Sequence, residues 1–201
     1  MRFHWPVFLF CIFLTLGGAV LAEAESRPQS EDKGKSYSIS IYGGTLTDDD
    51  WQKSITGQAD FVDSHLLVAS AGWTFWRESK RRYSLGLEAN VARHFGTQKH
   101  WEFNLPILTT NWDKFPWHDT LEQTLGFGMG PSVTTKRPRT EEEINPSSKH
   151  LMLYWHIDTT FSLPDSPWAL ILRLHHRSTA YGVFGDEGGS NALTTGLRYN
   201  F

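Results

Sequence analysis

Two side chains near the carboxy terminus have the types and spacing of a nucleophile and its base. His176 and Ser178 are separated by one residue in the run Leu170-Ile171-Leu172-Arg173-Leu174-His175-His176-Arg177-Ser178. On a strand, residues i and i+2 share a face. The imidazole and the hydroxyl then come within hydrogen-bond reach, which suits a serine activated by a histidine. Asn191 opens the next segment in phase with Leu193, Thr195, Leu197, Tyr199 and Phe201. Parity lets it sit opposite His176 across the hairpin, where its amide oxygen can hold one imidazole tautomer, the task of the third member of such sites. Asn brings no negative charge to that task. Each of the three residues alone is also the ordinary polarity of a strand end. Their shared face is what points to chemistry.

A set of strands must position them. From Ser36 onward, apolar residues fall on every second position. Tyr37, Ile39 and Ile41 alternate with serines. Tyr83, Leu85, Leu87, Ala89 and Val91 alternate with Ser84, Gly86, Glu88 and Asn90. Leu151, Leu153, Trp155 and Ile157 alternate with Tyr154, His156 and Asp158. Period two is the strand period, and no segment sustains the helical one, so the reading needs no helices. Eight such segments follow one another, with Trp101–Ile107 counted as one. Short turns (Arg77–Arg82, Lys114–His118, Leu163–Pro167) alternate with longer polar connections (Leu46–Gly57, Gly96–Lys99, Lys136–Ser148, Gly182–Gly189). The expectation is an all-β fold, an eight-stranded antiparallel transmembrane β-barrel of the outer-membrane type, over residues 36–201.

Aromatics gather at strand ends as an interfacial girdle would: Trp73, Phe75 and Trp76; Trp112, Phe115 and Trp117; Phe161 and Trp168. The other face carries Glu88, Glu102, Glu122, Asp158, Arg173 and Arg198, of both signs. These can neutralise one another in a narrow lumen, where an unpaired charge is costly. His175 and Arg177 fall on the same face, as do Gly126, Gly128 and Gly130, which suit crowding. A soluble sandwich or lipocalin-like barrel shares the period and would turn its apolar face inward.

Residues 1–24 read as a signal peptide: Arg2 and His4, the apolar run Trp5–Leu21, then Ala22-Glu23-Ala24. Residues 25–35 are polar and read as a flexible lead-in. The one cysteine, Cys11, lies inside the apolar run, so the mature chain has no disulfide, a bacterial-envelope pattern. Over 201 residues, 19 Lys+Arg against 22 Asp+Glu give a net charge of −3, without the basic excess of a nucleic-acid binder. The mean hydropathy of −0.39 excludes a polytopic helical membrane protein. Nine tryptophans and 14% aromatics argue against disorder.

The segment His176-Arg177-Ser178-Thr179-Ala180, the Gly-rich loop, Asn191 and the terminal strand ending in Phe201 resemble the PagL-type lipid A 3-O-deacylases. These are small outer-membrane barrels with His-x-Ser on the penultimate strand and an acidic residue on the last. The resemblance is loose over the whole architecture and close only in the last two strands. It implies serine-type hydrolysis of the ester-linked 3-hydroxyacyl chain of lipid A in the outer leaflet of the bacterial outer membrane. Ser178 would be the nucleophile and His176 the base, with no cofactor and no metal. The family's acidic third position is Asn191 here, with Asp186 and Glu187 nearby in the loop. Where the family continues Asn-Ala-Gly, this chain has Thr179-Ala180-Tyr181, with Gly182 one step late. The implied partners are lipid A or lipopolysaccharide and outer-membrane lipid. The barrel assembly machinery would read Leu197-x-Tyr199-x-Phe201. No nucleic-acid partner is expected, and a homodimer stays open. The alternatives are a non-catalytic barrel with a structural or surface-interaction role, and a soluble periplasmic barrel binding a small apolar ligand.

The remaining constellations read as structure. His175 and His176 point oppositely, and no histidine pair has a recognised metal-ligand spacing. Arg177 fits a lumen ion pair or, with Lys136, Arg137 and Arg139, a contact to lipid A phosphates. Glu141-Glu142-Glu143 reads as a solvated acidic run.

Overall fold

The structure, a computed structural model, describes residues 36–78, 82–144, 148–180, 182–184 and 188–201. The expected signal peptide (1–24) and lead-in (25–35), and Asp186 and Glu187, lie outside the described residues. The strands are β1 (Ser36–Thr47), β2 (Phe61–Glu78), β3 (Tyr83–Gly96), β4 (Trp101–Asn104), β5 (Leu108–Trp112), β6 (Glu122–Thr134), β7 (Leu151–Ser162), β8 (Trp168–Ser178) and β9 (Gly189–Asn200). Neighbours pair antiparallel, and β1 pairs with both β2 and β9, so the sheet closes into a barrel. β4 and β5 both lie between β3 and β6 and are two halves of one strand, so the barrel has the eight staves expected. The break has a local cause: Pro106 has no N–H to give the ladder. The chain there is held instead by Leu105 N–H on the Pro131 carbonyl (3.0 Å) and Glu88 N–H on the Pro106 carbonyl (3.1 Å). Gly130 leaves room for this detour, because a Cβ there would run into the Leu105 carbonyl.

The faces are inverted relative to a soluble protein. Ile39, Ile41, Leu67, Phe103, Ile107 and Leu172 point outward and are exposed, Ile107 at 66%. So broad an apolar belt would associate in water and is the lipid-facing surface of a transmembrane barrel. The unbroken strands have from 11 (β8) to 18 (β2) residues, at or above the roughly 9–11 that a tilted crossing needs. No helix among the described residues is long and apolar enough to span a membrane. At the short-turn end the aromatics form a band, with ring centroids 6.0 Å apart for Tyr37–Phe201, 4.8 Å for Trp168–Tyr199 and 4.8 Å for Trp112–Phe115.

Paired charge crosses the middle of the lumen, next to a polar cavity of about 420 Å³ on the short-turn side. Arg173 donates to Glu88 through both terminal nitrogens (2.6 and 2.9 Å), to Asp158 through Nε and Nη2 (3.0 and 2.5 Å) and to the Tyr42 hydroxyl (2.8 Å). Arg198 adds a second cation to Asp158 at 3.4 Å. Two cations thus meet two carboxylates, as the alternation predicts. Gly126 is required beside them, since a Cβ there would collide with the Asp158 carboxylate.

Two expectations are corrected. Helices do occur, as α1 (Trp51–Thr56) and α2 (Arg139–Ile144) in two long connections; six residues are too few for a 3.6-residue period to register. Glu141 is not solvated. It is fully buried, pairs with the equally buried Arg177, and accepts from the Ser148 and Ser190 hydroxyls (2.8 and 2.9 Å). Arg177 also donates to the Lys149 and His150 carbonyls (2.6 and 2.9 Å). Arg177 is therefore a lumen group, and α2 plugs the long-loop end.

Candidate active site

The register of the last three strands builds the site. His176 of β8 is the direct partner of Trp155 on β7 and of Asn191 on β9, and Asn191 is in turn the partner of Thr47 on β1. These residues form one outward-facing row near the long-loop end, an arrangement that the parity of His176 and Asn191 allows and the register fixes. Asn191 Oδ1 lies 2.5 Å from His176 Nδ1, and its Nδ2 donates to the Asp49 carbonyl at 2.7 Å. The second bond decides the orientation of the amide. With Nδ2 engaged as donor, Oδ1 is left to accept, so Nδ1 of His176 carries the proton. Nε2 is the free acceptor, the nitrogen a general base uses. The Trp155 ring packs against the imidazole, tilted by 34°, with centroids 4.2 Å apart.

Helix α1 covers this row, and the strand pattern alone does not show it. Trp51 meets Trp155 edge-on at 5.6 Å, and the Ser54 and Thr47 hydroxyls are 2.7 Å apart. Asn191 is only 7% exposed as a result, and Leu174, on a lipid-facing row, only 4%. The local signals for α1 are Asp50 before it and Gly57 after it. Gly57 has φ 72°, a left-handed conformation that ends the helix and favours glycine. Lys53 donates to Asp49 at 2.7 Å and holds that carboxyl below the ordinary aspartate range. Below α1 the outer face carries a groove of about 610 Å³, lined mainly by apolar groups that include Ile55, Phe61, Leu125, Leu172, Leu174 and Leu193.

Ser178 ends β8 on the same face and is half-buried. Its Oγ accepts from the Ala180 amide at 3.4 Å, and no hydrogen bond joins it to His176 among the described residues. Ala180 has φ 53°, an uncommon conformation for a residue with a Cβ. Of the three predicted site residues, then, His176 and Asn191 are in contact, while Ser178 shares their face and is engaged by its own turn. Asp49, Trp51 and Trp155 complete the surroundings.

A separate cluster lies in the lumen. His94 Nε2 is 3.0 Å from Glu102 Oε2, and His175 Nε2 is 2.8 Å from Glu102 Oε1. His100 stacks on His94 at 4.1 Å. Burial, followed by its neighbour His94, pushes His100 down to about 3.

No family model matches the chain, and no curated protein matches it. Solved structures do. The outer membrane enzyme PagL aligns with a TM-score of 0.57 at 14% identity, over 81% of this chain and 98% of that one. Neisserial surface protein A (NspA) aligns with a TM-score of 0.50 at 12% identity, over 84% of this chain and all of that one. At such identities the likeness is one of fold, and the fold is that of an outer-membrane β-barrel.

Proposed function

We propose that the protein is a serine-type esterase of the bacterial outer membrane that removes the ester-linked 3-O-acyl chain of lipid A in the outer leaflet. The observation that carries this reading is the His176–Asn191 contact, which leaves Nε2 of a half-buried imidazole free on a lipid-facing surface, beside an apolar groove. Ser178 leaves its bond with the Ala180 amide by a side-chain rotation and turns toward His176; such bonds are often long or absent before substrate arrives. Its Oγ attacks the acyl carbonyl carbon as His176 Nε2 takes the hydroxyl proton. The tetrahedral intermediate collapses, and the imidazolium returns the proton to the departing sugar hydroxyl. Water, activated by the same imidazole, then hydrolyses the acyl-serine. The Thr179 amide is engaged by the Gly188 carbonyl at 3.1 Å, so the Ala180 amide, freed by the rotation, is the donor available for the developing oxyanion. Asn191 positions His176, and the groove takes the acyl chain of a substrate that arrives sideways from the membrane. The carboxy-terminal row ending in Phe201 is the segment presented to the barrel assembly machinery.

Expression in a Gram-negative host followed by mass spectrometry of extracted lipid A tests the reading. Loss of one 3-hydroxyacyl chain, abolished by Ser178→Ala, is expected. Unchanged lipid A from a protein shown to be folded in the outer membrane would favour a non-catalytic barrel with a surface-interaction role, the reading that the engagement of Ser178 with Ala180 supports.

A further inference from the structure

The lumen cluster at the long-loop end has the makings of a second site. One ring nitrogen of His94, one of His100 and a carboxylate oxygen of Glu102 lie within 4.8 Å of one another, all three residues being buried. His100, 2% exposed, has its Nε2 buried without a hydrogen-bond partner. A buried polar atom left unanswered calls for an explanation; in the same cluster His175 Nδ1 and Asn104 Oδ1 are also without a partner.

We propose that His94, His100 and Glu102 bind one divalent transition-metal ion of the zinc class. Two imidazoles and a carboxylate are a donor set suited to that ion. Ligand atoms about 2.1 Å from one metal stand roughly 3.0–3.4 Å from each other. The 3.0 Å between His94 Nε2 and Glu102 Oε2 already meets this. A separation as long as 4.8 Å closes with a shift of about 1.5 Å, which His100 can make from the short connection between β3 and β4.

The surroundings have the form of an outer shell. His175 Nε2 holds the second oxygen of Glu102 at 2.8 Å. Gln98 Nε2 faces His94 Nδ1 at 3.4 Å, and Gln98 Oε1 accepts from the Thr140 hydroxyl at 3.2 Å. Without metal, His94 therefore carries its proton on Nε2, toward Glu102. On loading, the proton moves to Nδ1. Gln98 turns over, accepts from Nδ1 through its oxygen and donates to Thr140 through its nitrogen. Both ring nitrogens of His94 and the Gln98 amide thus have partners in either state. The ion would tie β3, its connection and β4 together, one inward residue along β8 from the Arg177–Glu141 plug.

The test uses the full chain, stripped of metal and refolded in detergent micelles. Zn2+ is titrated against a chromophoric chelator, and Co2+ is followed by its visible absorption. One ion per chain is expected, with a higher melting temperature for the Zn2+-loaded barrel. Gln98→Ala should weaken binding about 10–100-fold, His100→Ala and Glu102→Gln by more, and the exposed His150→Ala should change nothing. Should Glu102→Gln fail to fold, His100→Ala carries the test, since its Nε2 supports no other contact. Substoichiometric uptake, or uptake unchanged by His100→Ala, overturns the proposal.

Discussion

Replacing Arg173 by Met tests whether the barrel is held from within by charge. The Arg173 side chain is 1% exposed and is a principal partner of two buried carboxylates. After Arg173→Met, Asp158 keeps Arg198 at 3.4 Å and His156 at 3.7 Å. Among the described residues, Glu88 then keeps only the Asn90 amide as a hydrogen-bond donor, at 3.2 Å. One carboxylate is thus stranded and the other is partly held. Breaking a buried pair in this way costs about 3–5 kcal/mol. With a urea dependence near 2 kcal/mol per molar, the unfolding midpoint in micelles should fall by about 2 M. Tryptophan fluorescence and heat-modifiable gel mobility both read that transition. Adding Glu88→Gln to Arg173→Met removes the stranded charge and should restore more than half of the loss. The reasoning is refuted if the single variant unfolds within about 0.5 kcal/mol of the parent, the scale of ordinary surface changes. It is equally refuted if the double variant is no better than the single one.

Asn191→Leu keeps the side-chain volume but loses both the imidazole contact and the bond to the Asp49 carbonyl; at about 1–3 kcal/mol, lipid A deacylation should slow roughly 5–150-fold while the barrel still folds, as rates and gel mobility together will show. Glu141→Gln strands Arg177 and should loosen the plug, so that limited proteolysis cuts the 136–148 connection faster than in the parent. The Arg173 network crosses the lumen, so the purified barrel in a planar bilayer should pass no steady single-channel current; discrete openings would contradict a block at this network.

The barrel itself was legible in the chain because strand parity is a local property. Alternation along β8 and β9 is enough to put His176, Ser178 and Asn191 on one face and Arg173, His175 and Arg177 on the other, whatever the rest of the molecule does. The mutual neutralisation of Glu88, Asp158, Arg173 and Arg198 follows from the same parity, because a narrow lumen admits charge only in pairs. Fold class and the His176–Asn191 pairing were therefore within reach of the sequence. Partners brought together by closure were not. Glu141 looks like one of three solvated acids until the barrel mouth sets Arg177 against it. The strand after β3 reads as continuous until Gly130, on a different strand, gives Pro106 room to break it.

Helix α1 has its own start and stop residues. That it lies over His176 and Asn191, and that its leading Asp49 carbonyl orients the Asn191 amide, depends on β1 and β9 being neighbours, though they stand at opposite ends of the domain. The same holds in the lumen, where His175 of β8 meets Glu102 of β4 across the barrel. Periodicity determines which face a side chain occupies, because each strand residue carries that information itself. Which distant residue it meets there is decided by ring closure and register, which exist only once all the strands have paired.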